Sequence, residues 1–168
     1  MLIRRLRLVL VVVTLVVIET TVFRHLTIFD ALPSLCLVAT AAVAYEEGPQ
    51  AGAIFGFLSG LAIDMFLSTP LGLSALAYLL TGFGLGVFQG GVVRETRGIA
   101  PVLAAAGGLV GGAIFVLVGG IAGEDGFFTL TSVKIVVVAA AYDALVAPLV
   151  FWFVHWANHD PDRTRGWR

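Results

Sequence analysis

The stretch GAIFGFLSGLAID, residues 52–64, repeats a small residue at every fourth position and ends on an acid. Four-residue spacing places Gly52, Gly56, Gly60 and Asp64 on one face of a helix. In lipid, small residues at this spacing let two helix backbones approach closely and gain dispersion contacts. We therefore predict a helix here whose glycine face packs against another helix, either within the same bundle or on a partner protein.

The composition around this stretch predicts an integral membrane protein. The 168 residues are 59% hydrophobic and 12% charged, and the mean hydropathy is +1.01. Globular domains carry about 25% charged residues, so this chain has too few charges to cover a soluble surface. The net charge of −1 and the absence of a basic stripe exclude a nucleic-acid partner. A single cysteine, Cys36, excludes a disulfide framework.

Six apolar segments approach the length of about 20 residues that a helix needs to cross a membrane. We predict an all-α protein with a single transmembrane domain over residues 1–168, surrounded by membrane lipid. The predicted helices cover residues 6–23, 32–45, 50–67, 71–93, 99–122 and 131–156, and a cytoplasmic tail covers 157–168. The second segment is short enough to be re-entrant instead, so the orientation of the loops has to support the count.

The basic residues of the loops provide that support. With six spans, eight of the ten basic residues fall on the face that carries both chain ends, and two fall on the other. The eight are Arg4, Arg5, Arg7, Arg94, Arg97, Arg163, Arg165 and Arg168, and the two are Arg24 and Lys134. Because an excess of Lys and Arg marks the cytoplasmic side, both termini are predicted to be cytoplasmic.

Charged residues within the spans are the candidates for a function, since charges in lipid are costly. Glu19, Asp64 and Lys134 lie near the outer ends of their helices. They form a buried ion cluster, or each reaches water on its own. Asp143 lies nine residues beyond Lys134, about 13 Å deeper and near the midplane. We expect it to be protonated or hydrogen-bonded to a neighbouring helix, with transport coupling as the alternative.

The sequence predicts no catalytic, cofactor-binding or metal site. His155 and His159 have the spacing of metal ligands on a helix, but Trp152 and Trp156 flank them. An interfacial aromatic belt followed by a polar tail explains this pattern. The predicted protein is therefore not an enzyme and needs no cofactor.

The region from Pro33 to Gly90 resembles the MreD family of rod-shape-determining proteins. The family pattern has a proline at the start of helix two, a Gly-Phe-x-x-Gly-Leu-x-x-Asp run and a Pro-Leu-Gly shortly after it. Here the matching residues are Pro33, Gly56, Phe57, Gly60, Leu61, Asp64, Pro70, Leu71 and Gly72. The chain length, the six spans and the short loops are also similar to the family, whereas the last two helices match in hydropathy alone.

The resemblance implies a non-enzymatic, multi-pass component of the bacterial plasma (inner) membrane that maintains cell shape. Such a protein binds the bitopic protein MreC and acts with MreB, the transglycosylase RodA and a class B penicillin-binding protein to regulate peptidoglycan synthesis. The family is also similar in fold to the vitamin-binding S components of energy-coupling-factor transporters, so a transporter subunit is the alternative. A proton-coupled carrier is a third reading, which rests on Asp143.

The predicted topology is tested by reporter fusions. A fusion at the C-terminus is expected to report cytoplasm, and a fusion in the loop near Glu124 is expected to report the exterior, because of the distribution of basic residues. A C-terminal fusion that reports the exterior would contradict six spans.

Overall fold

The computed structural model describes the backbone of residues 2–21, 33–66, 71–89, 99–121 and 130–158, and most side chains within those ranges. Every regular element in this described part is a helix, which confirms the prediction of an all-α chain. The helices are α1 (Leu2–Thr21), α2 (Leu35–Glu47), α3 (Pro49–Asp64), α4 (Leu73–Gln89), α5 (Ile99–Ile121) and α6 (Leu130–Asn158). Each begins and ends within a few residues of its predicted bounds. Of the predicted tail, residues 159–168 lie outside the described part.

The short helix α2 lies at the centre of the bundle. Every residue from Leu35 to Ala44 is buried, and α2 contacts each of the other five helices. Its sequence, LCLVATAAVAYEE, is apolar on all sides except at its C-terminal end. A helix that is hydrophobic all round is buried on all sides. The alanines keep α2 thin, so that several helices can surround it.

The helices α3 and α4 form an antiparallel hairpin with the closest backbone approach in the described residues. A β-carbon at Gly60 would lie 2.5 Å from the carbonyl oxygen of Ser74, and one at Gly56 would overlap the backbone of Tyr78. Further along, Gly52 and Gly82 face each other's backbones. The row of Gly52, Gly56 and Gly60 therefore packs against other helices of the same bundle. This is the first of the two alternatives predicted for the row, the second being contact with a partner protein.

Gly48 makes the sharp connection from α2 to α3. Its φ is +94° and its ψ is −175°, a backbone region that is essentially restricted to glycine. Its N–H donates to the carbonyl of Ala44 at 3.0 Å, and its own carbonyl accepts from the N–H of Gly52 at 3.0 Å. Pro49 follows as the first residue of α3, where the missing N–H is tolerated. This turn brings α2 directly against α3.

The helices α5 and α6 are the longest, with 23 and 29 residues. Within them, Val102–Ile121 and Lys134–Ala157 are long and apolar enough to cross a membrane. They pack together where Gly108 faces Ala140 and Asp143. The helices α2, α3 and α4 have 13, 16 and 17 residues, which at 1.5 Å per residue is less than a hydrocarbon core of about 30 Å.

The close contact of α3 with α4 predicts opposite effects for two glycine substitutions. Gly60→Ala is expected to destabilise the protein by about 1–3 kcal/mol, because the added methyl group overlaps the backbone of α4. Gly84→Ala is the matched control, since no atom lies within 4 Å of a β-carbon there. We expect it to be neutral or stabilising by up to about 1 kcal/mol through helix propensity. Thermal unfolding of the purified variants checks both, and equal stability of the two would contradict the packing.

Candidate functional site

The carboxylate of Asp64, at the end of α3, holds the start of α4. Its Oδ2 accepts hydrogen bonds from the N–H of Gly72 at 2.8 Å and from the N–H of Ala75 at 3.3 Å. Its Oδ1 accepts from the N–H of Ser74 at 3.1 Å. Asp64 is 1% exposed. One buried acid therefore supplies acceptors to three backbone donors at the beginning of the next helix.

This arrangement follows from the spacing of the run that contains Asp64. The first N–H groups of any helix have no acceptor within that helix, and a buried N–H without a partner is costly. Gly60, one turn earlier, packs against Ser74 and Ala75. It thereby brings Asp64 next to the start of α4. Gly72 has a φ of +100°, a conformation that glycine adopts without strain, and it directs its N–H toward the carboxylate.

A second pair of acids holds the start of α2 in the same way. Oδ1 of Asp143, on α6, accepts from the N–H of Ser34 at 2.7 Å. Oε2 of Glu19, on α1, accepts from the N–H of Cys36 at 3.0 Å. Ser34 is the N-cap residue of α2, but its own side chain makes no capping hydrogen bond. Two carboxyl groups from other helices provide the acceptors instead.

The surroundings of these two acids form a buried polar cluster, which we define as Glu19, Ser34, Cys36, Tyr78 and Asp143. The Tyr78 side chain lies within hydrogen-bonding reach of Ser34 and interacts electrostatically with both acids. The Cys36 thiol lies within reach of Glu19. Four helices contribute to this polar cluster: α1, α2 with its N-cap, α4 and α6.

One oxygen of the polar cluster has no hydrogen-bond partner within the described residues. This atom is Oδ2 of Asp143, which is fully buried. It faces α5, where a β-carbon at Gly108 would lie 2.7 Å from it. Most buried polar atoms in proteins are hydrogen-bonded, and an exception requires a physical explanation. Gly108 allows the two helix backbones to close around this oxygen.

The proposed ion cluster of Glu19, Asp64 and Lys134 is not formed. Asp64 is occupied by the amides of α4, Glu19 by the amide of Cys36, and Lys134 is exposed. No ion pair joins any two of the three, all of whose side chains are described. Backbone donors at two helix starts, and not the lysine, pair with Glu19 and Asp64. Neither predicted alternative therefore describes the two acids, whereas the exposed Lys134 agrees with the second.

The remaining predicted residues divide between two sides of α3. Gly52, Gly56 and Gly60 are buried against α4. Phe57 and Leu61 lie on the opposite side and are 42% and 37% exposed. Gly72 contributes its N–H to Asp64, and Pro70 lies outside the described residues.

Sequence reasoning missed Ser34, Cys36 and Tyr78, and it separated Glu19 from Asp143. The short second segment was the available signal. A helix of 13 residues that begins after Pro33 leaves donors buried at its start, and the acids of other helices are the acceptors that can serve them. Among the described residues, no group of three or more His, Cys, Asp and Glu side chains is placed to hold a metal ion. The site can bind hydrogen-bond donors and protons.

Comparisons with known proteins identify no relative of this chain. No protein-family model, no curated protein and no solved structure matches it.

The capping role of Asp64 predicts an ordered series of variants. Asp64→Ala is expected to destabilise the protein by about 1–3 kcal/mol, because it leaves three donors without an acceptor. Asp64→Asn keeps one oxygen acceptor and nearly the same volume, so we expect a smaller loss. Thermal unfolding at matched protein concentration measures both losses. Equal and complete loss in the two variants would instead indicate that the negative charge itself is required.

Proposed function

We propose that this protein is a non-enzymatic, MreD-like component of a bacterial elongation complex, in which it binds an MreC-like bitopic protein within the plasma membrane. The observation that carries the proposal is the division of the Gly-Phe-x-x-Gly-Leu-x-x-Asp run between two faces. Gly56, Gly60 and Asp64 hold α4, whereas Phe57 and Leu61 point outward. Internal packing therefore accounts for only half of this run, and we attribute its outward residues to contact with a second protein in the membrane.

Exposed apolar side chains support the membrane location. Large apolar residues with more than half of their surface exposed occur on α1, α3, α4, α5 and α6: Leu10, Val13, Val17, Ile54, Leu58, Val87, Phe88, Val102, Leu117, Ile121, Val137, Leu145 and Leu149 are among them. Soluble proteins rarely expose contiguous apolar surface on this scale. Lipid is the surrounding that such a surface fits.

The depths of the three buried acids support the six-span topology. Glu19 is 17 residues from the first residue of α1, Asp64 is 15 from the first of α3, and Asp143 is 15 from the last of α6. At 1.5 Å per residue these separations are about 23–26 Å. The six-span topology puts all three of those helix ends in the cytoplasm, so the three acids would share one level toward the outer side. Asp143 would then lie at the level of Glu19 and the start of α2, and not near the midplane as the sequence suggested. The short helices α2–α4 then require a locally thin bilayer.

The surface that we propose for the partner is the α3 outer face, defined as Ile54, Phe57, Leu58 and Leu61. These residues follow helical spacing along one side of α3 and are all exposed. A single transmembrane helix, as in an MreC-like protein, packs on such a face through dispersion contacts. RodA-like, penicillin-binding and MreB-like proteins would be further members of the same complex. If the protein is instead a transporter subunit, it should bind a small molecule.

Partner recovery tests this proposal. The double variant Phe57→Ala with Leu61→Ala is expected to lose binding of a co-expressed MreC-like protein by roughly thirtyfold, because removing interface anchors costs about 2 kcal/mol. Leu145→Ala with Leu149→Ala is the matched control, since both leucines are exposed on α6 and lie outside the α3 outer face. Co-purification from mild detergent measures recovery at equal membrane levels.

The same purification discriminates between the two readings. Recovery of the MreC-like protein with wild type and with the α6 control, but not with the α3 variant, supports the proposal. Equal recovery with all three proteins would contradict the assignment of the partner surface. A tightly bound small molecule with no protein partner would favour the transporter subunit.

A further inference from the structure

The polar cluster contains two carboxyl groups at the start of one helix and no basic side chain among the described residues that interact with them. Each acid uses one oxygen to accept a backbone N–H of α2. The Asp143 side chain is 1% exposed and its Oδ2 has no partner. Two negative charges cannot be held together in a dry interior without compensation.

We propose that the Glu19–Asp143 pair is a proton-binding site, in which one proton resides on Oδ2 of Asp143 while Glu19 carries the negative charge. The inference is independent of the partner protein proposed above. The proton would occupy Oδ2 of Asp143, the buried oxygen of this cluster that has no hydrogen-bond partner among the described residues.

The difference in burial decides which acid holds the proton. Asp143 is enclosed by α2, α5 and α6, and the backbone of α5 at Gly108 lies directly against Oδ2. Glu19 is only partly buried, near the end of α1. Among the described residues, Oδ2 of Asp143 is fully buried without a partner, whereas neither oxygen of Glu19 is, so a charge is less costly on Glu19. A neutral carboxyl group on Asp143 leaves no charge on the unpartnered Oδ2, so its burial costs less than that of a carboxylate.

The groups that face Asp143 favour a proton over another cation. From α1 comes Glu19, from the start of α2 come Ser34 and Cys36, and from α4 comes Tyr78. From α5, Gly108 faces Oδ2 of Asp143. The first turn of α2 carries partial positive charge, which disfavours a metal ion and suits a carboxylate. A proton neutralises the second acid and needs no coordination shell.

The position of Gly108 gives the proton a structural consequence. An ionised Oδ2 would need a donor, but the described residues place none within hydrogen-bonding distance, and Gly108 of α5 packs against this oxygen. Loss of the proton therefore requires α5 to move away from α6. The proton thus links the pH at the polar cluster to the packing of α5.

Infrared spectroscopy of the full chain in lipid nanodiscs tests the proposal directly. At neutral pH, wild type is expected to show the carbonyl stretch of a neutral carboxylic acid, shifted in heavy water. Carbon-13 labelling of aspartate carboxyls should shift this band further, whereas labelling of glutamate should leave it in place. This assignment uses no substitution, so it does not depend on the folding of a variant.

Three variants then locate the proton. Asp143→Asn should abolish the band, and Glu19→Gln should retain it. Asp64→Asn is the matched control and should also retain it, because both oxygens of Asp64 accept amide hydrogens in the pattern of a carboxylate. The proposal is overturned if wild type lacks the band, if glutamate labelling shifts it, or if it persists in Asp143→Asn. It is also overturned if replacing choline chloride with sodium chloride removes the band, which would indicate a cation site.

The pH dependence of stability provides an independent measurement. The folded protein holds a proton that an aspartate of the unfolded chain releases above about pH 4. The melting temperature should therefore fall as the pH is raised from about 4, until the folded site also releases its proton. In Asp143→Asn this part of the dependence should disappear, because the amide cannot lose a proton. An unchanged pH dependence in this variant would contradict the site, whatever the outcome for the partner protein.

Discussion

The start of a helix leaves backbone N–H groups that only an outside acceptor can satisfy, and this chain buries two such starts. At α4, Asp64 from the preceding helix supplies both carboxylate oxygens. At α2, Asp143 and Glu19 from the last and first helices supply one oxygen each. These hydrogen bonds fix where the short helices begin. They also fix which helices surround α2, because each acid must reach its donors from a neighbouring element. In an apolar setting, an unsatisfied donor is costly enough for this requirement to dominate the arrangement.

Glycine makes that arrangement sterically possible. Gly56 and Gly60 bring α3 against the backbone of α4, so that Asp64 arrives at the level of Ser74. Gly108 performs the same role for α5, whose backbone closes over Asp143. Small residues and buried acids therefore act together, since close approach removes water and the carboxyl groups replace its hydrogen bonds. What remains outside is an apolar surface that suits lipid, and it includes Phe57 and Leu61.

The helical content and the packing face of α3 were accessible from the sequence because both depend on local spacing. Gly56, Gly60 and Asp64 recur every four residues, and this period alone places them on one face. The polar cluster was not accessible in the same way. Ser34 and Asp143 are 109 positions apart, and their contact depends on how α6 lies along α2, which no local pattern records. The predicted ion cluster with Lys134 failed for a related reason. Glu19, Asp64 and Lys134 were expected at the same depth, but backbone N–H groups bind the two buried carboxylates and the lysine is exposed.

Hydrogen exchange of individual amides in a bilayer tests this account most directly. If carboxyl groups hold the two helix starts, the N–H groups of Ser34, Cys36, Gly72 and Ser74 should exchange slowly, although the first amides of a helix normally exchange fast. In Asp64→Ala, protection should be lost at Gly72 and Ser74 and retained at Ser34 and Cys36. Rapid exchange at all four amides in the wild-type protein would contradict the central role of these hydrogen bonds.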